Sequence, residues 1–203
     1  MKEKKFKSRE ALIEESLNEF CEFSYENASL NRIMKNAKVS KGSFYYHFKH
    51  KEDLYLHLLK KSIETKWIAI SEYMESHSAD FENIDIFDKF FYQAKAGLLF
   101  AQAHTKYNQL ANMFAKEKGN EIYDNMLKII GKDENNILSQ LVDDAYQSKE
   151  LDPSYDRDFV ERLLTKLFEN YHDFFSETVA LEEKLKNLEE FVRFLRNGLG
   201  AKK

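Results

Sequence analysis

Only one proline and six glycines punctuate the 203 residues, and this scarcity constrains the fold more than any other feature. Many-stranded proteins need frequent tight turns, and those turns draw on glycine and proline for backbone angles that other residues reach at a cost. The chain therefore reads as all-α. Hydrophobic residues make up 43% of it, enough apolar surface to bury a core in one larger domain or two unequal ones.

No apolar run approaches the roughly 18 residues of a membrane span, and the charged start, Met1 to Lys5, argues against a secretory signal. The expected address is the cytoplasm, with no membrane partner. Cys21 is the single cysteine, so neither an intramolecular disulfide nor a cysteine-based zinc site is expected. His57, His77, His104 and His172 lack the spacing of a helical ligand pair, and no G-x-S-x-G, Walker A or H-E-x-x-H motif is present. The expectation is a protein with no catalytic activity, cofactor or metal.

Helical periodicity sets the organisation. Leu12, Ile13, Ser16, Leu17, Phe20 and Cys21 share one side of a first helix over residues 8–24, with Glu14, Glu15, Asn18, Glu19 and Glu22 opposite. Ser29 is a good N-cap for a second, two-turn helix through Leu30, Ile33, Met34 and Ala37. Ser40 caps a third, in which Phe44 and Phe48 lie one turn apart. From Lys51 the pattern runs unbroken to Met74, long enough to leave a small head and connect it to the remainder. Polar residues 76–83 read as a loop, 84–103 as a largely apolar helix, and further breaks are expected near 118–120, 131–133 and 148–156. Two last helices, over about 155–180 and 182–198, form a hairpin.

Charge divides unevenly along this plan. Residues 1–61 carry 13 Lys and Arg against 9 Asp and Glu, whereas the rest of the chain is net acidic within a total of −4. A basic head on an acidic protein suits a polyanion. Residues 29–48 also match what a helix-turn-helix requires, a short positioning helix, a tight turn, and a second helix whose N-terminal side chains reach base edges in the major groove. Apolar positions anchor that second helix. Lys41, Ser43, Tyr45 and His47 face outward with donors for bases or phosphates, and Gly42 permits close backbone approach.

The run SLNRIMKNAKVSKGSFYYHFKHKEDLYLHLL resembles the DNA-binding region of TetR-family regulators, notably in A-x-V-S-K-G-S-F-Y-Y-H-F-K-x-K-E-D-L. The likeness covers about the first quarter of the chain. It implies DNA contacts from Ser29, Asn31, Lys41, Gly42, Ser43, Tyr45, Tyr46, His47 and Lys51. A lysine in the first turn of a helix opposes the macrodipole, which favours a phosphate beside Lys51. Two positions depart from the family pattern: Lys38 stands at the usual turn glycine and Ser24 where a glycine commonly ends the first helix. His50 replaces the usual Ser or Asn cap of the fourth helix.

By this resemblance the fold is a three-helix helix-turn-helix head, residues 1–50, joined by the long fourth helix to a helical effector-binding and dimerisation body, residues 51–203. The partners implied are double-stranded operator DNA, a second copy of the chain, and a small-molecule effector whose binding releases a repressor. Phe87, Phe91, Leu98, Tyr107, Leu110, Met113, Phe114, Tyr123, Met126 and Phe174 are candidates to line a largely apolar pocket, with plain core packing as the competing reading. Phe159, Leu163, Leu167, Phe168, Leu185, Leu188 and Leu195 are candidates for a four-helix dimer interface, against intramolecular core. Two alternatives remain open: control by a protein partner rather than a small molecule, and a helical interaction module with a non-functional head.

Overall fold

The computed structural model describes residues 2–77, 84–130, 135–169 and 179–201, with the side chains of 2–6, 135–137 and 168–169 outside that description. Among the described residues the chain forms ten helices: α1 (Lys2–Glu22), α2 (Leu30–Asn36), α3 (Lys41–His47), α4 (Lys51–Ser76), α5 (Ile86–Ala103), α6 (Thr105–Lys116), α7 (Glu121–Ile130), α8 (Asn135–Gln147), α9 (Arg157–Glu169) and α10 (Leu181–Leu199). None of them is long and apolar enough to cross a membrane. The helical expectation holds. Helix α1 starts six residues earlier than its apolar periodicity suggests, and the long apolar stretch ends at His104, where no glycine or proline marks the break between α5 and α6.

The chain divides into two compact units, Met1–Trp67 with Ala103–Ile130, and Ile68–Gln102 with Gly131–Lys203. In the first unit, α1 packs against α2, α3 and α6. Its core draws Leu12 and Phe20 from α1, Ile33 from α2, Phe44 from α3, Leu54, Tyr55 and Leu58 from α4, Leu110 from α6 and Met126 from α7. Each short helix thus contributes one or two large side chains to a shared interior. Full burial of a side chain of this size contributes about 1.5–3 kcal/mol. The Phe20 and Tyr25 rings pack on Tyr55 with centroids 4.7 and 5.2 Å away. Phe114 stacks on Tyr123 at 4.8 Å.

The second unit buries Ile86 and Phe87 of α5, Val142 and Ala145 of α8, Leu151 between α8 and α9, Val160 and Leu164 of α9, and Leu188, Val192, Leu195 and Leu199 of α10. Helices α8 and α9 pack together, and Arg157 bridges them by donating to Asp143 and to Glu161, and to the Ser139 hydroxyl at 2.7 Å. Lys149, with φ 60°, ends α8: the Glu150 N–H reaches back to the Ala145 carbonyl and the Lys149 N–H to the Tyr146 carbonyl. The chain end is pinned to this turn. Asp152 N–H donates to the Leu199 carbonyl at 2.8 Å and Ala201 N–H to the Glu150 carbonyl at 2.9 Å, while the Glu150 carboxylate accepts the Ile86 N–H at the start of α5. Arg196 ties the same corner to Asp85 and Asp88 at 2.8 and 2.6 Å.

Several candidate pocket and interface residues lie within these cores. Leu110 and Met126 are fully buried in the first unit and Phe87 is buried in the second. Leu188 and Leu195 are buried in the core of the second unit. Leu163 and Leu167 are partly buried against the second core, Leu185 is half-buried and Phe159 is exposed. Phe91 and Leu98 pack at the edge of that core, and Tyr107, Met113, Phe114 and Tyr123 are half-buried in the first unit. Phe174 and the side chain of Phe168 lie outside the described residues. A Cβ at Gly200 would sit 2.4 Å from the Arg196 carbonyl oxygen, so Gly200→Ala is expected to lower stability by about 1–2 kcal/mol, read as a reduced denaturation midpoint, and an unchanged midpoint would contradict the pinned chain end.

Candidate nucleic-acid interface

Helices α2 and α3 are short, and their ends are held by local hydrogen bonds. The Ser29 side chain accepts the Arg32 N–H at the start of α2, and the Ser40 side chain accepts the Ser43 N–H at the start of α3. Between them Lys38 takes φ 54°. Val39 N–H donates to the Met34 carbonyl at 3.0 Å and Lys38 N–H to the Lys35 carbonyl at 3.2 Å, the paired bonds of a Schellman turn. The expected left-handed turn is therefore built with a lysine where glycine would cost nothing.

Phe44 and Phe48 turn inward and are buried, which fixes the rotation of α3 about its axis. That rotation leaves Lys41, Gly42, Tyr45 and Tyr46 exposed and Ser43 and His47 half-buried. Tyr45 is 54% and Tyr46 66% exposed, high values for large aromatic side chains and suited to phosphate or base contact. Ser29 is half-buried and Asn31 exposed at the start of α2. His50 does act as a cap: its Nδ1 accepts the Asp53 N–H at 3.1 Å, and the Asp53 carboxylate accepts the Lys49 N–H at 3.0 Å. The reciprocal arrangement starts α4 as firmly as a Ser-based capping box would.

Two buried carboxylates and one lysine position the loop between α1 and α2. Glu19, which periodicity places on the solvent face of α1, is 6% exposed. It accepts the Ser29 N–H at 2.6 Å and, through both oxygens, the Arg32 guanidinium at 2.5 to 3.1 Å. Burial pushes the Glu19 carboxyl up, but the Arg32 hydrogen bonds, the Ser29 N–H and the charges of Arg32 and Lys51 outweigh it and hold the group below its ordinary value of 4.5. Lys51 donates to the carbonyls of Tyr25, Glu26 and Ala28 at 2.6, 3.4 and 3.1 Å and lies 4.4 Å from the Tyr25 ring centroid. In this head its ammonium is engaged with the protein backbone, so the tension between a first-turn lysine and the helix dipole is relieved internally. Glu117, at the end of α6, accepts the Tyr25 N–H at 2.7 Å and is 4% exposed.

Sequence reasoning missed Glu19, Tyr25, Glu117 and Arg32 because their partners lie 10 to 92 residues away, beyond the reach of helical periodicity. The nearest local signal is Arg32, the one arginine of α2, which stays exposed while it pairs with the buried Glu19.

The arrangement is a helix-turn-helix head with an exposed second helix. Residues 12–58 match the family model described as bacterial regulatory proteins, tetR family. An HTH-type transcriptional regulator of Staphylococcus aureus is 28% identical over 82 residues, and the biofilm operon negative transcriptional regulator IcaR of Staphylococcus epidermidis is 27% identical over 77. These stretches cover 40% and 38% of this chain and only 44% and 40% of those relatives. In fold, a TetR-family transcriptional regulator from Chloroflexus aurantiacus superimposes with a TM-score of 0.70 over 96% of this chain and 94% of its own, at 22% identity.

Two stability measurements test this geometry. Glu19→Gln is expected to cost about 2 kcal/mol at pH 7. Because the folded carboxyl titrates below its unfolded value, its contribution is complete above pH 4.5 and is lost as pH falls through the depressed folded value. The gap between wild type and variant in denaturant midpoint should therefore narrow below pH 4.5, and a constant gap would rule out the ionic role. At the turn, Lys38→Val is expected to destabilise by about 1–2 kcal/mol while Lys38→Gly does not; equal effects would show that the left-handed angle carries no weight.

Proposed function

We propose that the chain is a homodimeric, operator-binding transcriptional repressor, released from DNA when a small, largely apolar effector binds the helices downstream of the head. The observation that carries this reading is the presentation of Lys41, Gly42, Tyr45 and Tyr46 on an α3 whose rotation is fixed by buried Phe44 and Phe48. Lys41 supplies a donor for guanine O6 and N7 or for phosphate, Ser43 serves either, and Tyr45, Tyr46 and His47 reach phosphates. Ser29 and Asn31 at the start of α2 contact the flanking backbone. Lys51 adds positive potential beside Ser29 while its hydrogen bonds hold the loop.

A dimer suits this chemistry, because two recognition helices about 34 to 36 Å apart enter successive major grooves on one face of the duplex. Phe159 and Phe194, 46% and 74% exposed, are the apolar side chains on α9 and α10 best placed to meet a second copy. Repression follows the precedent of IcaR, a negative transcriptional regulator. The half-buried Phe91 and Leu98 of α5 remain the candidates to meet an apolar effector. Such a ligand dissociates the complex by favouring a spacing of the two heads that no longer matches the half-sites.

Mobility-shift titration against DNA from upstream of the protein's own gene, with nonspecific competitor, tests the core of this reading. A specific, salt-weakened shift is expected, and Tyr45→Ala or Lys41→Ala should weaken it about tenfold or more without loss of folded signal. Unchanged affinity in both variants would remove α3 as the reading helix.

A further inference from the structure

Glu117 breaks two rules of helix chemistry at once. It stands immediately past the last residue of α6, where its N–H closes the helix on the Phe114 and Ala115 carbonyls, and the negative end of the helix dipole disfavours a carboxylate there. It is also 4% exposed, and neutral donors meet its oxygens. Oε1 accepts the Tyr25 N–H at 2.7 Å and Oε2 the Asn120 side-chain amide at 2.6 Å. A buried charge held in this way costs the fold stability that a paired cation would offset. A residue that breaks local rules at such a cost points to function.

The peptide that Glu117 grips lies in the loop between α1 and α2, 92 residues away in sequence. Lys51, the first residue of α4, holds the same residue from its other side, donating to the Tyr25 carbonyl at 2.6 Å and sitting 4.4 Å from the ring centroid. One turn back along α6, Phe114 packs on Tyr55, the ring on which Tyr25 also rests, with centroids 6.4 and 5.2 Å away. The end of α6 thus meets this loop through a hydrogen bond and through shared ring packing. Glu19 fixes the far end of the loop from α1, at the Ser29 N–H, and Glu117 fixes the near end from α6. Helix α2 has only seven residues, too few to be stable alone, so these anchors decide where it starts.

We infer that Glu117 is a positioning residue for operator binding: from the end of α6 its carboxylate fixes the Tyr25 peptide and so sets where Ser29 and Asn31 stand against the duplex. This inference rests on the operator-binding reading and adds to it a residue outside the helix-turn-helix. Glu117 is too buried to touch DNA itself and acts through Tyr25. Contacts from the start of α2 to the DNA backbone fix the register in which α3 meets the bases, whereas attraction to any duplex follows from positive charge. Loss of the Glu117 contact therefore lowers selectivity for one sequence and leaves general DNA binding in place.

Three variants of the full chain separate position from charge. Glu117→Gln removes the charge and keeps an acceptor for the Tyr25 N–H. Glu117→Ala removes the same charge and the acceptor, and Glu117→Asp keeps the charge but withdraws the carboxylate by one methylene. Kd is measured at matched salt on a duplex selected from genomic fragments and on random-sequence DNA, and exchange of the Tyr25 amide is followed in the free protein. The Ala and Asp variants are expected to bind the selected duplex about tenfold more weakly, with faster Tyr25 exchange, while the Gln variant keeps wild-type affinity and protection. Random-sequence affinity should follow charge alone, matching between the Ala and Gln variants and between the Asp variant and wild type. Should Glu117→Ala fail to fold, the Asp variant against wild type, equal in charge, decides. Wild-type operator affinity in the Ala and Asp variants, an equal loss on both DNAs, or an equal loss in the Gln variant overturns this inference and leaves the operator-binding reading intact. Absence of sequence-specific binding by the wild type overturns both.

Discussion

Glu19 is the interaction on which the head depends. Its carboxylate takes the first exposed backbone donor of the α2 cap, Ser29 N–H, and pairs through both oxygens with Arg32 one turn later. A buried charge is tolerable only when its oxygens are occupied in this way. Once α2 is tied to α1, the Schellman turn at Lys38 sets where α3 begins, and Phe44 and Phe48 set how it is rotated. The exposed face of α3 is thus a consequence of contacts made two helices earlier.

The loop before α2 is held from three sides within the same unit. Lys51 occupies its carbonyls, Glu117 accepts the Tyr25 N–H, and the Tyr25 ring packs on Tyr55. Burial, with the charges of Glu52 and Glu26, pushes the Tyr25 phenol up to about 12. Glu117 belongs to α6, whose Leu110 and whose neighbour Met126 in α7 also fill this interior. A helix-turn-helix sharing its core with α6 and α7 gives those helices a direct mechanical hold on α2 and α3.

Much of this was legible from residue order. Sparse glycine and proline made the chain helical, Ser29 and Ser40 marked two caps, and Phe44 and Phe48 identified the inward face of α3. Where local chemistry decides, sequence is informative. The end of α5 at Ala103 was legible from its apolar run, although no glycine or proline marks it. Glu19 and Glu117 were misread or unnoticed because burial of a carboxylate depends on partners from other helices. The downstream apolar stripes were correct as stripes, yet stripes do not say whether a leucine meets its own chain or another; Leu188 and Leu195 meet their own.

The proposal that DNA is met by α3 depends on the frame that Glu19 sets. Hydrogen-exchange mass spectrometry of the full chain, free and bound to a duplex selected from genomic fragments, tests it most directly. Slowed exchange concentrated in residues 29–51, with α10 unaffected at its exposed positions, is the predicted result. Protection confined to the second unit, with none across residues 40–48, would contradict it.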